Sequence, residues 1–396
     1  MVQLSISRFK PNSYMVLEGN DDSDHFYIIQ QGNVKCYKSD GTGIAPVTLG
    51  SGDFVGVVPC MSGHLQIETA ITITPVTAIS VRRDQYPELI ANNTPVALKI
   101  IRTFANRMRQ MNEMLTTATL NGKATDNYDQ IFQVAQYYEK AGAMNIAIFA
   151  YYQYLKTRPT GPQAEYSKKK FTILKPRTHA VYLEPSKDNI RKYPKDTMIF
   201  SESSQGSDMF IIQSGEVAIS KVVDNNEVTL AVLHKGDMFG EMALLENKPR
   251  SASAIAHSDC TLMVVNRQNF DHMVTTQPQL ISRLTTTLAD RLWSMYRQLD
   301  NANLKDPVAK MTDMLSLQLE KQRITPQSAG SKAYQSEFTC QDIANMCGIP
   351  QDQQPRAIYM FQQDQRFRIV NGKIFIKDIQ ELLKQAAFYR KQNNAK

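Results

Sequence analysis

The sequence predicts an α+β protein built from two antiparallel β-barrels that are each followed by a long helix. Three observations lead to this fold class. A segment near the start of the chain recurs about 183 residues later, both copies end in a helix with seven-residue apolar spacing, and an Asn-Gly turn lies between two apolar runs near the end. A chain of 396 residues is too long for one ordinary core, which indicates two to four domains.

The repeat is the feature that organises the chain. Three pairs of segments match in the same order: residues 24–32 and 207–215, residues 52–56 and 236–240, and residues 104–108 and 288–292. Each copy shows short strand-like runs between Gly, Asp and Asn turns, and then a helical stretch. This pattern predicts an antiparallel barrel of the double-stranded β-helix type, followed by a helix.

Both long helices carry apolar seams with the heptad spacing of coiled coils. The seams of the second helix are Ile281, Leu288 and Met295, and Thr285, Leu292 and Leu299. The first helix has Ile101, Met108 and Leu115 beside Phe104 and Met111. Because the second helix is richer in leucine, we expect a homodimer that is joined along it. The alternatives are pairing of the two helices within one chain, and seams that pack only on their own barrel.

Between the copies, residues 126–172 predict two antiparallel helices, the second of which ends before Pro159. The Ala and Tyr spacing resembles one tetratricopeptide repeat. Since a single repeat cannot bury both of its faces, the insert must lean on a barrel or bind another protein. The predicted domains are residues 1–122, 123–175, 176–302 and 303–396.

Residues 236–254 contain a candidate anion cradle. Gly240 permits close approach of the backbone, Arg250 offers a planar fork for a phosphate, and Glu241 can accept hydrogen bonds from sugar hydroxyls. Residues 242–244 predict a short helical turn whose N–H groups face an anion. The other candidate residues of the cradle are Phe239, Met242, Ala243, Ser251 and Ala252.

This stretch resembles the phosphate-binding cassette of cyclic-nucleotide-binding domains, through Phe-Gly-Glu at residues 239–241 and Arg-Ser-Ala at residues 250–252. The resemblance implies that Glu241 binds the ribose 2′-hydroxyl and that Arg250 pairs with the cyclic phosphate. It also implies a base contact from the long helix, for which we expect Tyr296, and a cyclic nucleotide as ligand, cAMP rather than cGMP. The alternative is an empty barrel in which Glu241 and Arg250 pair with each other.

The first copy departs from this pattern at the decisive positions. Val57 stands where the second copy has Glu241, and Glu68 stands where it has Arg250. A carboxylate at the second position repels a phosphate, by kilocalories in a dry site. We therefore expect the first barrel to be a degenerate, structural or pairing domain that binds no cyclic phosphate.

The last quarter of the chain predicts two helices and a hairpin. Thr339 and Asp342 form a capping-box pattern, and a second helix is expected over residues 352–363. Asn371-Gly372, between alternating apolar runs, predicts a tight hairpin. This order resembles the winged helix-turn-helix of the catabolite activator protein (Crp/Fnr) family, whose second helix enters the DNA major groove.

The resemblance implies DNA contacts from the second helix and from the hairpin. The candidate residues are Gln351, Gln353, Gln354, Arg356, Arg368 and Lys373. Pro355 disfavours a helix interior, and the conflict eases if Asp352 is the helix cap. DNA binding is one expectation, and a fold retained for protein contact is the other.

Charge and composition narrow the function classes. The net charge is +7, and residues 301–396 hold fourteen Lys and Arg against nine Asp and Glu, which favours a polyanionic partner. Five scattered cysteines form neither a disulfide framework nor a metal cluster, and no leader or membrane-spanning run is seen. We expect a cytoplasmic, metal-free regulator that is not an enzyme, or else a cyclic-nucleotide-responsive scaffold that acts through protein contacts.

Overall fold

The computed structural model describes residues 4–38, 44–120, 129–223, 226–246, 248–350 and 352–394. The chain forms two compact units. One contains residues 1–89 and 289–396, and the other contains residues 90–288.

The first unit begins with a barrel of two antiparallel four-stranded sheets, in the orders β1-β8-β3-β6 and β2-β7-β4-β5. The strands are β1 Ser5–Phe9, β2 Tyr14–Val16, β3 His25–Gln31, β4 Val34–Tyr37, β5 Val47–Leu49, β6 Phe54–Val55, β7 Thr69–Thr72 and β8 Val76–Arg82. A short helix, α1 Val57–Ser62, follows β6, and α2 Tyr86–Asn92 follows the last strand. Buried side chains from both sheets, such as Ile29 and Val34, form one core.

The second unit starts with helices: α3 Thr94–Leu120, α4 Asp129–Lys140, α5 Met144–Thr157 and α6 Ala164–Leu174. The expected antiparallel pair is α4 and α5, and the second of these ends just before Pro159; α6 is a third helix that the sequence did not predict. Their core continues into Met198, Val222 and Ile255 of the following barrel. The insert therefore packs against the second barrel.

That second barrel repeats the strand order of the first, with sheets β9-β16-β11-β14 and β10-β15-β12-β13. Its strands are β9 Ile190–Tyr193, β10 Met198–Phe200, β11 Met209–Ser214, β12 Val217–Val223, β13 Asn226–Leu233, β14 Met238–Phe239, β15 Ser253–Ala256 and β16 Cys260–Val265. The helix α7 Glu241–Glu246 follows β14, as α1 follows β6. The identical order confirms the tandem repeat. The helices α8 Arg267–Thr276 and α9 Pro278–Ala302 come next, and the boundary of the compact units falls inside α9.

The rest of the first unit consists of α10 Pro307–Lys321, β17 Tyr334–Gln335, α11 Cys340–Met346, α12 Gln354–Gln362, β18 Phe367–Val370, β19 Lys373–Ile376 and α13 Ile379–Asn394. Thr339 and Asp342 form the expected capping box of α11. Between β18 and β19, Asn371 and Gly372 both have positive φ, as a two-residue hairpin turn requires. Helix α12 has Pro355 in its first turn, where it displaces no helical hydrogen bond, and its cap is Gln353 rather than Asp352.

Candidate ligand site in the second barrel

The expected cradle lies between the end of β14 and the start of β15. Gly240 links β14 to α7 with φ +79°, a left-handed conformation that glycine adopts without steric cost. A Cβ atom at this position would lie 2.7 Å from Nη1 of Arg250 and 3.1 Å from the Asp208 carbonyl oxygen. Glycine is therefore needed here both for the turn and for the approach of Arg250.

Arg250 is the central side chain of the cradle. It is 5% exposed, its Nη1 donates to the Gly240 carbonyl oxygen at 2.7 Å, and its guanidinium lies 4.2 Å from the centre of the Phe200 ring. Its Nε is buried and has no hydrogen-bond partner among the residues that the structure describes. Burial lowers the pKa of Arg250 to about 10, although the carboxylates of Asp208 and Glu241 act in the opposite direction. The site thus holds a buried cation with an unused donor.

The geometry does not support the alternative in which Arg250 and Glu241 neutralise each other. Within the described part of the chain, no carboxylate oxygen lies within 4.0 Å of the Arg250 guanidinium nitrogens. Glu241 begins α7 and is 1% exposed. The two charged side chains are therefore near each other but do not form a direct ion pair.

The other predicted cradle residues lie around this centre. Phe239 stacks on Phe210 at 5.1 Å between ring centroids, beside Phe200. Ser251 Oγ donates to the sulfur of Met242 at 3.6 Å. Ala243 and Ala252 are buried, so the turn has small side chains on its inner side. These residues form a compact aromatic and apolar wall beside the guanidinium.

Two contributors were missed by the sequence analysis. Gly206 lies against Arg250, since a Cβ there would be 2.6 Å from Nη2. The backbone of Ser203 and Ser204 hydrogen-bonds to the backbone of Arg250 on both sides, at 2.8 and 2.9 Å. The sequence repeat did not identify this loop as part of the cradle. The loop carries no motif and reaches Arg250 only in the folded chain.

Gly206→Ala is expected to leave the fold intact and to weaken binding of a phosphate ligand. The added methyl group meets only the end of the Arg250 side chain, which must move, whereas the backbone at this position has no positive φ. We expect a loss of about tenfold or more in affinity by calorimetry, because a charged hydrogen bond is misplaced. Gly50→Ala is the matched control, since a Cβ there is 3.5 Å from its nearest neighbour. Equal affinity for the Gly206→Ala variant and the wild type would contradict the prediction.

The long helix beside the cradle is α3, which follows the first barrel in the sequence. Helix α3 packs on α7, and buried Arg109 donates through Nη2 to the Pro249 carbonyl oxygen at 3.2 Å. Tyr296, expected to contact the ligand base, is buried on the part of α9 that belongs to the other compact unit. The structure therefore does not bring Tyr296 and the cradle into one unit, and its ligand contact stays a prediction.

The corresponding turn of the first barrel has no counterpart to this centre. Val57 begins α1, whose six residues are all buried, and Glu68 is half-buried at the position equivalent to Arg250. The sequence difference thus places an acidic side chain where the second barrel has its buried cation.

The residues expected to contact DNA fall into three groups. Four of them are exposed at α12 and the β18–β19 hairpin: Gln353, Arg356, Arg368 and Lys373. Gln351 lies outside the described residues.

The expectation for Gln354 requires correction. Its side chain is 7% exposed, its Nε2 donates to the Ile349 carbonyl oxygen at 2.8 Å, and its Oε1 accepts a hydrogen bond from Gln341. Gln354 is therefore used to join α12 to α11 and is not available to base edges.

Two observations bear on the expected absence of a metal and of a membrane span. Exposed Asp22 and Asp24 and half-buried His25 bring their possible ligand atoms within 4.8 Å of one another. His25 is already engaged by Tyr27, 2.6 Å from its Nε2. None of the helices in the described ranges is long and apolar enough to cross a membrane.

Comparison with known proteins agrees with the repeat. The family model of the cyclic nucleotide-binding domain matches twice, at residues 6–93 and 190–277. The chain thus contains this domain twice, once with and once without the buried arginine.

Curated relatives whose names refer to cAMP match about half of the chain. A "CRP-like cAMP-activated global transcriptional regulator" of Mycobacterium tuberculosis is 26% identical over 195 residues, which are 49% of this chain and 86% of that protein. The "Cyclic AMP receptor protein" of Thermus thermophilus is 26% identical over 199 residues, 50% of this chain and 88% of its own length. Among solved structures, a CooA mutant from Carboxydothermus hydrogenoformans is similar with a TM-score of 0.42 and 20% identity, over 50% of this chain and 87% of that one.

Proposed function

We propose that this chain is a cyclic-nucleotide-responsive, DNA-binding transcription regulator whose ligand binds in the second barrel. Arg250 would pair with the cyclic phosphate, and Glu241 would accept a hydrogen bond from the ribose hydroxyl. The observation that carries the proposal is the buried guanidinium with an unpartnered Nε. A buried cation with an unpartnered donor is costly, and a phosphate supplies both an opposite charge and the missing acceptor.

The experiment is calorimetry of the full chain with cAMP, cGMP and cyclic dinucleotides. We expect one nucleotide per chain, because only the second copy carries the arginine. Glu241→Gln should weaken binding while leaving phosphate pairing to Arg250 in place. No heat with any of these nucleotides at millimolar concentration would refute the ligand assignment.

The nucleotide we expect is cAMP. The names of the two bacterial relatives contain cAMP or cyclic AMP, and they align with half of this chain. Ser251 is compatible with either cAMP or cGMP. A competition titration between the two nucleotides therefore decides which purine base is preferred. Preference for cGMP or for a cyclic dinucleotide would replace cAMP without affecting the role of Arg250.

The terminal region supports the DNA-binding part of the proposal. Helices α11 and α12 and the β18–β19 hairpin follow the order of a winged helix-turn-helix, in which α12 would enter the major groove. Arg356 on α12 and Arg368 on the hairpin are exposed. The Mycobacterium tuberculosis relative, which matches half of this chain, is named a transcriptional regulator.

Arg356→Ala should weaken binding to a specific site by about 1–3 kcal/mol and relax discrimination at one base position. Arginine can contact guanine through two hydrogen bonds, which alanine cannot replace. Lys384→Ala, which removes an exposed charge from α13, is the control. Fluorescence anisotropy at several salt concentrations measures both variants, and affinity that does not vary with salt would contradict DNA binding.

A scaffold that responds to the nucleotide but acts through protein contacts is the second candidate. The observation that favours it is the exposure of large apolar side chains on and after α6: Tyr166, Ile173 and Val181. Exposed apolar residues of this size can mark a protein-binding surface. Under this alternative, α6 is the partner surface and the chain shows no salt-dependent affinity for DNA.

For the assembly, we retain the homodimer as a prediction. Leu288, Leu292 and Leu299 are already fully buried within one chain, whereas Met295 on the same helix is only partly buried. A second copy would therefore have to use the remaining surface of α9. Light scattering with nucleotide present is expected to give about twice the chain mass of 44.8 kDa. A mass equal to one chain at tens of micromolar would defeat the homodimer and favour pairing of the two repeats within the chain.

A further inference from the structure

The loop after α1 in the first barrel is two residues longer than the equivalent loop of the second barrel. Glu68 follows Val57 by 11 positions, whereas Arg250 follows Glu241 by 9. The longer loop carries His64 and Leu65, and both residues contact the second half of α9. The loop after α1, which is where the first barrel departs from the cradle of the second barrel, is therefore also the loop that contacts α9.

The centre of this contact is Trp293, the single tryptophan of the chain. Its ring stacks on the His64 ring, with 3.8 Å between centroids and an angle of 16° between the planes. Its Nε1 donates to the Leu65 carbonyl oxygen at 3.2 Å. With 2% of its surface exposed, Trp293 has the burial and the hydrogen bond typical of an anchor residue.

A second contact comes from the end of α10. Arg323 donates through Nη2 to the Ser62 carbonyl oxygen at 2.8 Å, at the end of α1. Its φ of +54° lies in the left-handed region, which non-glycine residues rarely adopt. This conformation belongs to the cap that ends α10, because the Arg323 N–H donates to the Glu320 carbonyl oxygen and the Ile324 N–H to the Leu319 carbonyl oxygen.

A third contact lies near the other end of the same stretch of α9. Lys38 of the first barrel bonds to Asp300 at 3.2 Å and to Glu18 at 2.9 Å, and its side chain is 6% exposed. A buried cation held between two carboxylates tolerates little displacement, because separation would leave charges without partners. The first barrel therefore contacts α9 at two places, about two helical turns apart, and contacts Arg323, just beyond the end of α10, at a third.

We propose that the first barrel is a docking module for this chain's own α9 and α10, and that the former nucleotide cradle is now the docking surface, with Trp293 as its anchor. The chemistry of the turn fits this occupant. The carbonyl oxygens of Ser62 and Leu65 accept hydrogen bonds from Arg323 and Trp293, and Glu68 places a carboxylate in the same turn. Such a turn selects indole N–H and guanidinium donors and repels a phosphate. The role of the first barrel would be to hold α9 and α10 in place at the start of the terminal region.

The test uses the full chain without nucleotide or DNA, so that its outcome is independent of the proposed function. Hydrogen exchange is measured for wild type and for His64→Ala. We expect amides in residues 289–302 and 307–323 to exchange roughly 2- to 10-fold faster in the variant, as loss of a stacked aromatic pair implies, with no change in residues 190–265. His64→Phe, which can still stack, should restore protection.

Trp293 fluorescence gives an independent measurement, because no other tryptophan contributes. Acrylamide quenching should increase in His64→Ala and remain at the wild-type value in His257→Ala, which removes an exposed histidine from the second barrel. If His64→Ala does not fold, Arg323→Gln carries the test. The Arg323 side chain is 62% exposed, and the variant removes its contacts with the Ser62 carbonyl and with Asp290 of α9.

Faster exchange confined to the α9 and α10 segments, with rescue by phenylalanine, supports the docking module. Unchanged exchange in both His64→Ala and Arg323→Gln overturns it. Equal acceleration in the His257→Ala control would also overturn it, as would an effect that depends on protein concentration, because the partner of Trp293 would then be a second copy.

Discussion

Arg250→Met is expected to abolish nucleotide binding and, at the same time, to make the ligand-free protein more stable. The guanidinium is buried, its Nε has no partner in the described part of the chain, and burial lowers its pKa to about 10. An apolar side chain of similar length removes this buried charge and its unpartnered donor. Keeping an ionised side chain buried costs several kcal/mol even after the protein has relaxed around it, and methionine does not carry this desolvation cost.

The loss of binding should be much larger than the gain in stability. Removing one partner of a buried, hydrogen-bonded charge pair costs about 2–5 kcal/mol, which is roughly 30- to 4,000-fold in affinity. Calorimetry measures the affinity, and differential scanning calorimetry measures the midpoint of the second unit. For a unit of this size each 1 kcal/mol gained raises the midpoint by about 2–4 °C, so we expect a rise of a few degrees.

Arg82→Met is the control for replacing an arginine by a methionine. Arg82 is an exposed arginine of the first barrel that pairs with Asp84. Its midpoint and nucleotide affinity should both remain near the wild-type values. An Arg250→Met protein that is less stable than wild type would show that the guanidinium contributes to the fold rather than to a ligand. Persistent binding would show that the phosphate lies elsewhere.

The second large effect is expected at Asp313, which is fully buried on α10. Its Oδ1 accepts hydrogen bonds from Arg390 and, at 3.3 Å, from Arg297. Its Oδ2 accepts one from Asn301 at 3.0 Å. One carboxylate thus joins α9, α10 and α13 within the first unit. Asp313→Asn should destabilise that unit by about 3–5 kcal/mol, because two arginines lose their buried counter-charge.

Urea unfolding followed by Trp293 fluorescence measures this change, because Trp293 belongs to the same unit. Glu320→Gln is the matched control: it also removes a carboxylate from Arg297, but its side chain is 23% exposed and the effect should be smaller. The double variant Arg297→Met, Asp313→Leu should recover much of the loss, since both charges of one pair are then absent. A small effect of Asp313→Asn would show that the network is dispensable.

The pH dependence of this unit follows from the same carboxylate. Burial alone would raise the pKa of Asp313, but Arg297 and Arg390 outweigh it, and the pKa lies below its ordinary value. A carboxylate whose pKa is lower in the folded state contributes stability above its unfolded pKa of about 3.9. That stability is lost as the pH falls through the folded pKa. The Asp313→Asn variant should therefore lose less stability in acid than the wild type does.

The repeat and its local motifs could be predicted from the sequence because they depend on neighbouring residues. The two barrels have the same strand order, Thr339 caps α11, and Asn371-Gly372 forms the hairpin turn. Each of these features follows from alternation, a cap or a turn over a few positions. The cradle residues around Arg250 were found for the same reason, since they occupy one continuous segment.

The choice of partners for the long helices could not be predicted in this way. Heptad spacing identifies an apolar seam but does not say which surface covers it, and the structure packs α3 on α7 beside the cradle. Gly206 reaches Arg250 only because a distant loop closes over it. Gln354 is polar yet buried, because the Ile349 carbonyl and the Gln341 and Asn345 amides satisfy its side chain. In each case tertiary contacts decided the outcome.

The first compact unit is discontinuous in sequence, with residues 1–89 at one end and residues 289–396 at the other. On the ribosome, the strands of the first barrel emerge long before the helices that pack against them. At about 5–20 residues per second, synthesis of the intervening 90–288 segment takes roughly 10–40 s. During this time His64 and the Leu65 carbonyl lack their partner Trp293, and the second unit can fold first. A nascent chain that stalls near residue 288 would leave this surface open to chaperones and proteases, so translation speed becomes a determinant of yield.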